Sequence, residues 1–541
     1  MKTFIKNVCC GAIILLLACV TLFAGCEFNP KNRKLVTNKN EYYSNEEILI
    51  TARGNENNWV GVYRLTDDTT SVEAIRWYWV NKNGYVSGTP YSLQRAATYN
   101  ESRQAFRNFP AGTYKAMLFE GEGENKIIKE MKVFTVKKEK LSAPEAPTDL
   151  QYKIYNPESG LANGKVKVYF EDNFMATDVM LYWANEQGVL ENYTNLATFR
   201  VTSNPVSFEM YDNTIIPKEA TKLIAFGVNN AGINTNYAEY SLPTNCGYNL
   251  EGNVVSEFNV VSDVHIAIQK THLASEDAIE LHSKHFVKMC NDIVKISPNS
   301  DGLFIVGDIA NSGRESEWQK AVELAKTVNG MPQVYYSLGN HDLYFGDYNT
   351  QAGYFKKYAN TDSVYYEKEI NGYHHLFLGS ESNHKSGVDA DLSMAQLTWF
   401  DQTLHTLTTN EPNKPVFVYL HQSLYNTIAG SFEGQGWDGI MQEAEFREIV
   451  KKYPQIVMFN GHSHWDLNTR GSMHTKTEEL PNIFNTSSVA YLWSSYYMPQ
   501  GEYLKGSQGY YIKVYEDKIL VLGRDFEQGK WIPSACFEAK I

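Results

Sequence analysis

From about Gly252 onward, short apolar runs alternate with helical patterns, and the apolar runs all end alike. FNVVS runs into Asp263-Val264-His265, LFIV into Gly307-Asp308, and QVYYSL into Gly339-Asn340-His341-Asp342. VFVYL runs into His421, and IVMFN into Gly461-His462-Ser463-His464. Near-continuous apolar runs are the mark of strands covered on both faces, and strands separated by helices define an α/β domain. In such folds, binding groups collect just past the carboxyl ends of the strands. Taken singly, each cluster has an ordinary explanation, since Asn tolerates left-handed turns and His and Asp are common in loops. Five strand ends delivering Asp, Asn and His to one rim are hard to obtain from packing.

The donor types point to metal chemistry. Two divalent cations a few ångströms apart need carboxylate and amide oxygens, imidazole nitrogens and one shared carboxylate, with no cysteine. In D-x-H and H-x-H, the intervening residue lets one turn aim two side chains at one point. Glycine before Asp308, Asn340 and His462 lets the backbone come close.

The ordered set D-x-H, G-D, G-N-H-D, His and G-H-x-H, from about Asn253 to the C-terminus, resembles the calcineurin-like metallophosphoesterase superfamily. The resemblance implies a four-layer αββα sandwich. It implies that Asp263, His265 and His464 hold one metal ion, that Asn340, His421 and His462 hold another, and that Asp308 bridges them. The implied cofactors are two divalent or transition metal ions, drawn from Mn, Fe, Zn, Co or Ca. A hydroxide shared by the metals would attack phosphorus in line. His341 would face the phosphate and protonate the leaving group or stabilise its charge. The expected substrate is a small phosphomonoester or phosphodiester, such as a nucleotide or an envelope-derived ester. The rival reading is a cell-surface binding or adhesion protein with an inactive phosphoesterase-like domain. The presence of every expected ligand counts against it.

Some positions depart from relatives or stay open. Three residues after Asp308, purple acid phosphatases carry a Tyr and protein Ser/Thr phosphatases an Asp. This chain has Asn311, which argues against an iron–tyrosinate site. Asn311 and Arg314 either touch phosphate oxygens or form a helix N-cap with a solvated Arg. Asp342 either orients His341 or caps the next turn. Aromatic residues crowd two loops, Tyr344, Phe345 and Tyr348 in one, and Trp465, Tyr491, Trp493, Tyr496 and Tyr497 in the other. They either meet the substrate, with Tyr344 and Trp465 as the candidate contacts, or pack. His272, His282, His285, His374, His375, His384, His405 and His474 match no motif and are expected to be structural.

The chain start sets its expected location. Lys2 and Lys6 precede an apolar run ending in FAGC, Phe23 to Cys26, which resembles the lipobox of bacterial lipoproteins. Residues 1–25 then read as a signal peptide and 26–34 as a tether with lipid on Cys26. The alternative is an uncleaved transmembrane anchor. Either way, the body is expected outside the cytoplasm, tethered to a bacterial membrane.

Residues 35–138, with alternating runs such as EILITA, WVGVYRL and TYKAMLF, read as an Ig-like β-sandwich. Residues 139–145 read as a linker. Residues 146–245 resemble fibronectin type III, and 250–541 read as the metallophosphoesterase domain that the resemblance implies. The β-sandwiches are read as spacers or as modules binding a cell-surface component. Over 541 residues, 43% hydrophobic and 21% charged is ordinary globular composition. A formal charge of −13 argues against nucleic acid as a bulk partner, but permits an anionic substrate at a local metal site. Beyond the leader and Cys26, Cys246, Cys290 and Cys536 remain, an odd number that argues against a disulfide framework. A single Cys246–Cys536 pair is left open.

Overall fold

The computed structural model describes residues 34–540, apart from 47, 56, 73, 81–85, 88–100, 107–108, 122, 124–125, 173, 212, 272–273, 384–387, 434, 438 and 495–501. The signal peptide, most of the tether, Cys26, His272, His384, Tyr496 and Tyr497 therefore lie outside the described residues. No helix among the described residues is long and apolar enough to cross a membrane.

Alternation builds the two N-terminal modules. In Ile48–Arg53 the residues Ile48, Ile50 and Ala52 are buried while their neighbours face outward, the period of two expected of a half-covered strand. A three-stranded sheet (35–37, 48–53, 101–106) faces a six-stranded one (41–42, 127–136, 112–120, 58–64, 76–79, 86–87). Leu35, Val60, Tyr114, Leu118 and Phe134 lie in their common core. In the second module, strands 149–153, 165–169 and 206–209 face a sheet centred on Asp178–Asn185 and Lys222–Asn229, over Val166, Val179, Trp183 and Leu223. The linker is docked. Leu141 is buried and exchanges hydrogen bonds with Asn45, while Asn229 and Asn234 donate to the carbonyls of Ser142 and Pro144.

Two mixed sheets lie face to face in the C-terminal domain. One runs 161–162, 214–215, 530–540, 518–525, 508–514, 256–261, 303–306, 334–337. The other runs 366–370, 373–377, 416–419, 456–460, 482–485, 473–474. Period two divides the second sheet's residues. Phe377, Phe417, Tyr419 and Phe459 join Phe258 and Phe304 between the sheets. Leu376, Val418 and Met458 face the outer helices Met394–Asn410 and Glu443–Val450, packing with Leu397, Phe400 and Phe446. Each such fully buried side chain contributes about 1.5–3 kcal/mol. On the first sheet, helix Glu276–Ile296 buries His282, His285, Phe286, Met289, Cys290 and Ile293, the spacing of one helical face. Its N-cap Ser275 accepts the Ala278 N–H. The four-layer order is the expected one.

The first two strands of the larger sheet belong to the second β module, so that module is no free spacer. Thr214 pairs with Phe537, and the sheet continues from one domain into the other. Cys246, Cys290 and Cys536 are all buried free thiols, which closes the question of a Cys246–Cys536 bridge.

Candidate metal centre

Each candidate residue sits two to four positions beyond a strand: 263 and 265 after 256–261, 308 after 303–306, 340 and 341 after 334–337, 421 after 416–419, and 462 and 464 after 456–460. The turns are tight. Asp263 (φ 54°), His265 (47°), Asp308 (54°), His462 (68°) and His464 (54°) all adopt the left-handed region. A non-glycine residue there costs on the order of 1 kcal/mol or more and persists only where its surroundings hold it. Here the strain aims side chains at a common point. Gly339 and Gly461 make room, since a Cβ on the first would strike the Asp308 carboxylate and on the second the Ser262 hydroxyl.

One ligand atom each from Asp263, His265, Asp308 and His464 falls within a 4.8 Å cluster, and Asp308, His421 and His462 form a second. All six residues are buried, and Asp308 is common to both groups. Asp308 Oδ2 lies 3.2 Å from His421 Nε2 and 3.6 Å from His265 Nε2. Asp263 Oδ1 lies 2.9 Å from His464 Nε2. The backbone fixes the ring tautomers. His421 Nδ1 sits 2.7 Å from the Val306 carbonyl and His464 Nδ1 3.2 Å from that of Tyr491. A carbonyl only accepts, so Nδ1 carries the proton and, in the neutral ring, Nε2 turns a lone pair inward.

Lone pairs and carboxylates facing one another in a dry site require positive charge. Burial pushes His265 and His462 down to about 3, the neutral form a metal ligand needs. Burial also opposes protonation of His421, but the carboxylates of Asp308 and Asp263 outweigh it and raise this ring to about 10. Burial likewise works against ionisation of Asp308 and Asp263, yet the surrounding imidazoles hold both below the usual carboxylate range. Asp263 Oδ1, Asn340 Oδ1, His421 Nε2 and His462 Nε2 are buried without hydrogen-bond partners. Orphaned oxygen and imidazole donors around a shared carboxylate fit two cations.

His341 is half-buried at the edge of this cluster, its ring 4.5 Å from that of His265. Its Nδ1 donates to the Asn311 carbonyl at 2.8 Å, and its backbone N–H donates to Asp308 Oδ1 at 2.8 Å. Asn311 thus orients His341 through its main chain, while its own Nδ2 is buried without a partner. Arg314 is exposed at the N-cap of Glu315–Lys326, where its N–H donates to Glu317. Of its two readings, the helix cap is the one the fold uses.

Asp342 does neither thing expected of it. Buried, it accepts N–H groups from Asp308 (3.1 Å), Ala310 (2.8 Å) and Gly339 (2.9 Å), tying two ligand-bearing loops together. Burial, reinforced by the charge of Asp308, pushes its carboxyl well above the usual range.

Trp465 is 1% exposed, turned inward beside the H-x-H turn and bridged to Trp493, the packed one of its two readings. Tyr344 is 42% exposed with its ring 4.8 Å from that of His341. Trp437, which sequence reasoning missed, lies 5.9 Å from His462. Its Gly-rich loop has no periodicity to place it. His282 and His285, one helical turn apart, donate to the carbonyls of His265 (2.9 Å) and Ala490 (2.8 Å). Their i, i+3 spacing was the available signal.

A strained, buried Asp/His/Asn cluster at strand ends between two mixed sheets defines the class. Residues 257–466 match the model of the calcineurin-like phosphoesterases. Among solved structures, the chain is similar to purple acid phosphatase PPD1 from yellow lupin (Lupinus luteus) seeds. The identity is 10% and the TM-score 0.38, over 94% of this chain and 95% of that one. It is also similar to the FN1–FN3 domains of chicken CNTN1, at 12% identity and TM-score 0.19, over 39% of this chain and 64% of that one. The ligand-binding domain of human OSCAR shares 9% identity at TM-score 0.15, over 38% of this chain and 93% of that one. No curated protein matches the chain. The assignment rests on the family match and on the site.

Proposed function

We propose that this chain is an exported, lipid-anchored, metal-dependent phosphoesterase acting on small phosphomonoesters or phosphodiesters. The observation that carries the reading is the convergence of Asp263, His265, Asp308, His421, His462 and His464 into two ligand clusters sharing Asp308. Asp263, His265 and His464 would hold one ion, and Asn340, His421 and His462 the other. When bound, the ions supply positive charge for the phosphate oxygens and an activated water as nucleophile. Asp308 would serve both ions, and Asp342 holds its loop in place by accepting three N–H groups. His282 and His285 brace the backbone of the 265 and 490 turns.

His341 is the acid. The Asn311 carbonyl fixes its ring through Nδ1–H, and Nε2 has no hydrogen-bond partner among the described residues. In the protonated ring, Nε2–H donates to the ester oxygen as its bond to phosphorus breaks, so the alcohol leaves neutral. No Ser or Cys nucleophile is required. Lipidation at Cys26 would tether the protein outside the cytoplasm.

The test is metal analysis joined to assays with para-nitrophenyl phosphate and bis-para-nitrophenyl phosphate, in the presence of Mn, Fe, Zn, Co or Ca. Turnover that tracks metal content is expected. A folded protein that turns over neither ester with any of these ions would sink the reading. For the anchor, Cys26→Ala is expected to shift the protein from the membrane fraction to the soluble one.

A further inference from the structure

The site carries two aromatic walls, one on each half. Tyr344, 42% exposed, lies 4.8 Å from the His341 ring, and Phe345, also 42% exposed, lies 5.4 Å from Tyr344. This wall borders the half built from Asp263, His265 and His464, since His341 itself packs 4.5 Å from His265. On the other half, Trp437 lies 5.9 Å from His462, which neighbours His421 at 5.2 Å. Trp493 stands 6.2 Å from Trp437. It is tied to the His464 end of the H-x-H turn, on the first half, its N–H donating to the His464 carbonyl at 2.8 Å and its own carbonyl accepting the Asp466 N–H. Trp437 is tied back as well, donating its N–H to Gly430 and accepting from the Ser423 hydroxyl. Both indoles remain partly exposed while held by main-chain bonds.

A phosphomonoester has one organic group and needs one such wall. A phosphodiester has two, projecting from different oxygens of the phosphorus. Resting on the phosphoesterase reading above, we infer that the substrate is a phosphodiester with a planar or apolar group on each side of phosphorus. The arm that leaves lies against Tyr344 and Phe345, because the proton for its oxygen comes from His341. The arm that stays on the phosphate lies against Trp437, on the His462 half. Water adds to phosphorus, the P–O bond on the Tyr344 side breaks, and the products are a free alcohol and a monoester still held at Trp437.

The experiment keeps the leaving group constant and varies only the arm that stays. Methyl para-nitrophenyl phosphate and phenyl para-nitrophenyl phosphate release the same phenolate. On the metal-loaded full chain, the phenyl ester is expected to show kcat/KM about tenfold above the methyl ester, the worth of one aromatic contact. Trp437→Ala is expected to bring that ratio near one, and Trp437→Phe to keep most of it. Binding gives a readout without turnover: calorimetry should show diphenyl phosphate binding more tightly than dimethyl phosphate, with the difference lost in Trp437→Ala. Equal kcat/KM for the two diesters, an unchanged ratio in Trp437→Ala, or faster turnover of para-nitrophenyl phosphate than of the phenyl diester would overturn the inference. If no para-nitrophenyl ester is hydrolysed, it is the phosphoesterase reading that fails, and the diphenyl phosphate titration alone decides the subsite.

Discussion

Asn340, His341 and Asp342 are consecutive, and the structure gives them three different jobs. Asn340 leaves a buried amide oxygen unpartnered, His341 holds a ring at the edge of the cluster, and Asp342 staples loops from beneath. Substitutions should separate them. Asn340→Ala is expected to lower bound metal, read by elemental analysis. His341→Ala should retain metal and lose about 10²–10⁴ in kcat, the usual worth of a positioned acid. Loss of metal in His341→Ala would refute its assignment as the acid. Asp342→Ala would orphan three N–H groups in a dry interior, where each costs about 1–3 kcal/mol. A clear drop in melting temperature is therefore expected, together with reduced metal content because the Asp308 loop is released. At this scale, the identities of the clustered residues were legible because His, Asp and Asn recur at strand ends. The job of Asp342 was not, because its partners Asp308 and Ala310 lie more than thirty residues earlier in the chain.

Among the elements, the strands feeding the site could be read from their unbroken apolar runs. The edge pair Tyr366–Ile370 and Tyr373–Phe377 could not, since Glu367, Lys368 and Glu369 interrupt the pattern on a strand with one open side. That pair carries His375, expected to be structural, and the structure packs its ring between the sheets. It stacks on Phe304 at 4.6 Å and Phe417 at 5.1 Å, with Nδ1 2.9 Å from the Tyr419 hydroxyl. Burial pushes this imidazole down to about 3 from an ordinary 6.5. Between those values, the unfolded chain binds a proton that the native ring refuses. The stability due to this depression is therefore fully present above about pH 6.5 and is lost as pH falls toward 3, by up to a few kcal/mol. Urea unfolding from pH 7 to pH 4 should show that loss, and His375→Phe should lessen it. An identical pH slope in the variant would exclude His375 as a source of acid sensitivity.

Across the whole molecule, the second β module and the phosphoesterase domain act as one body, whereas the first module reaches the rest through its linker. Strand Thr214–Ile215 adds to the edge at Phe537, and Ile215 and Tyr248 share a core with Tyr515, Leu520 and Cys536. Trp531 exchanges backbone hydrogen bonds with Asn192 and Thr194. Arg470, six residues past His464, lies 5.0 Å from the Phe208 ring and 5.1 Å from that of Tyr211. Thr194 donates its hydroxyl to Asn468. The second module therefore braces the segment immediately after the H-x-H turn. None of this was visible as pattern, because two-residue strands and cross-domain contacts leave no periodicity. The consequence is a difference between two truncations. A chain beginning at residue 139 loses the first module and everything before it and should keep its metal content and turnover. A chain beginning at 250 strips Ile215 and Tyr248 from the shared core and leaves the 530–540 edge bare. Its phosphoesterase domain should melt lower by about 10 °C or more and tend to aggregate through that open strand. Equal melting temperatures for the two truncations would mean that the shared sheet contributes no stability, and the second module would then return to being a spacer.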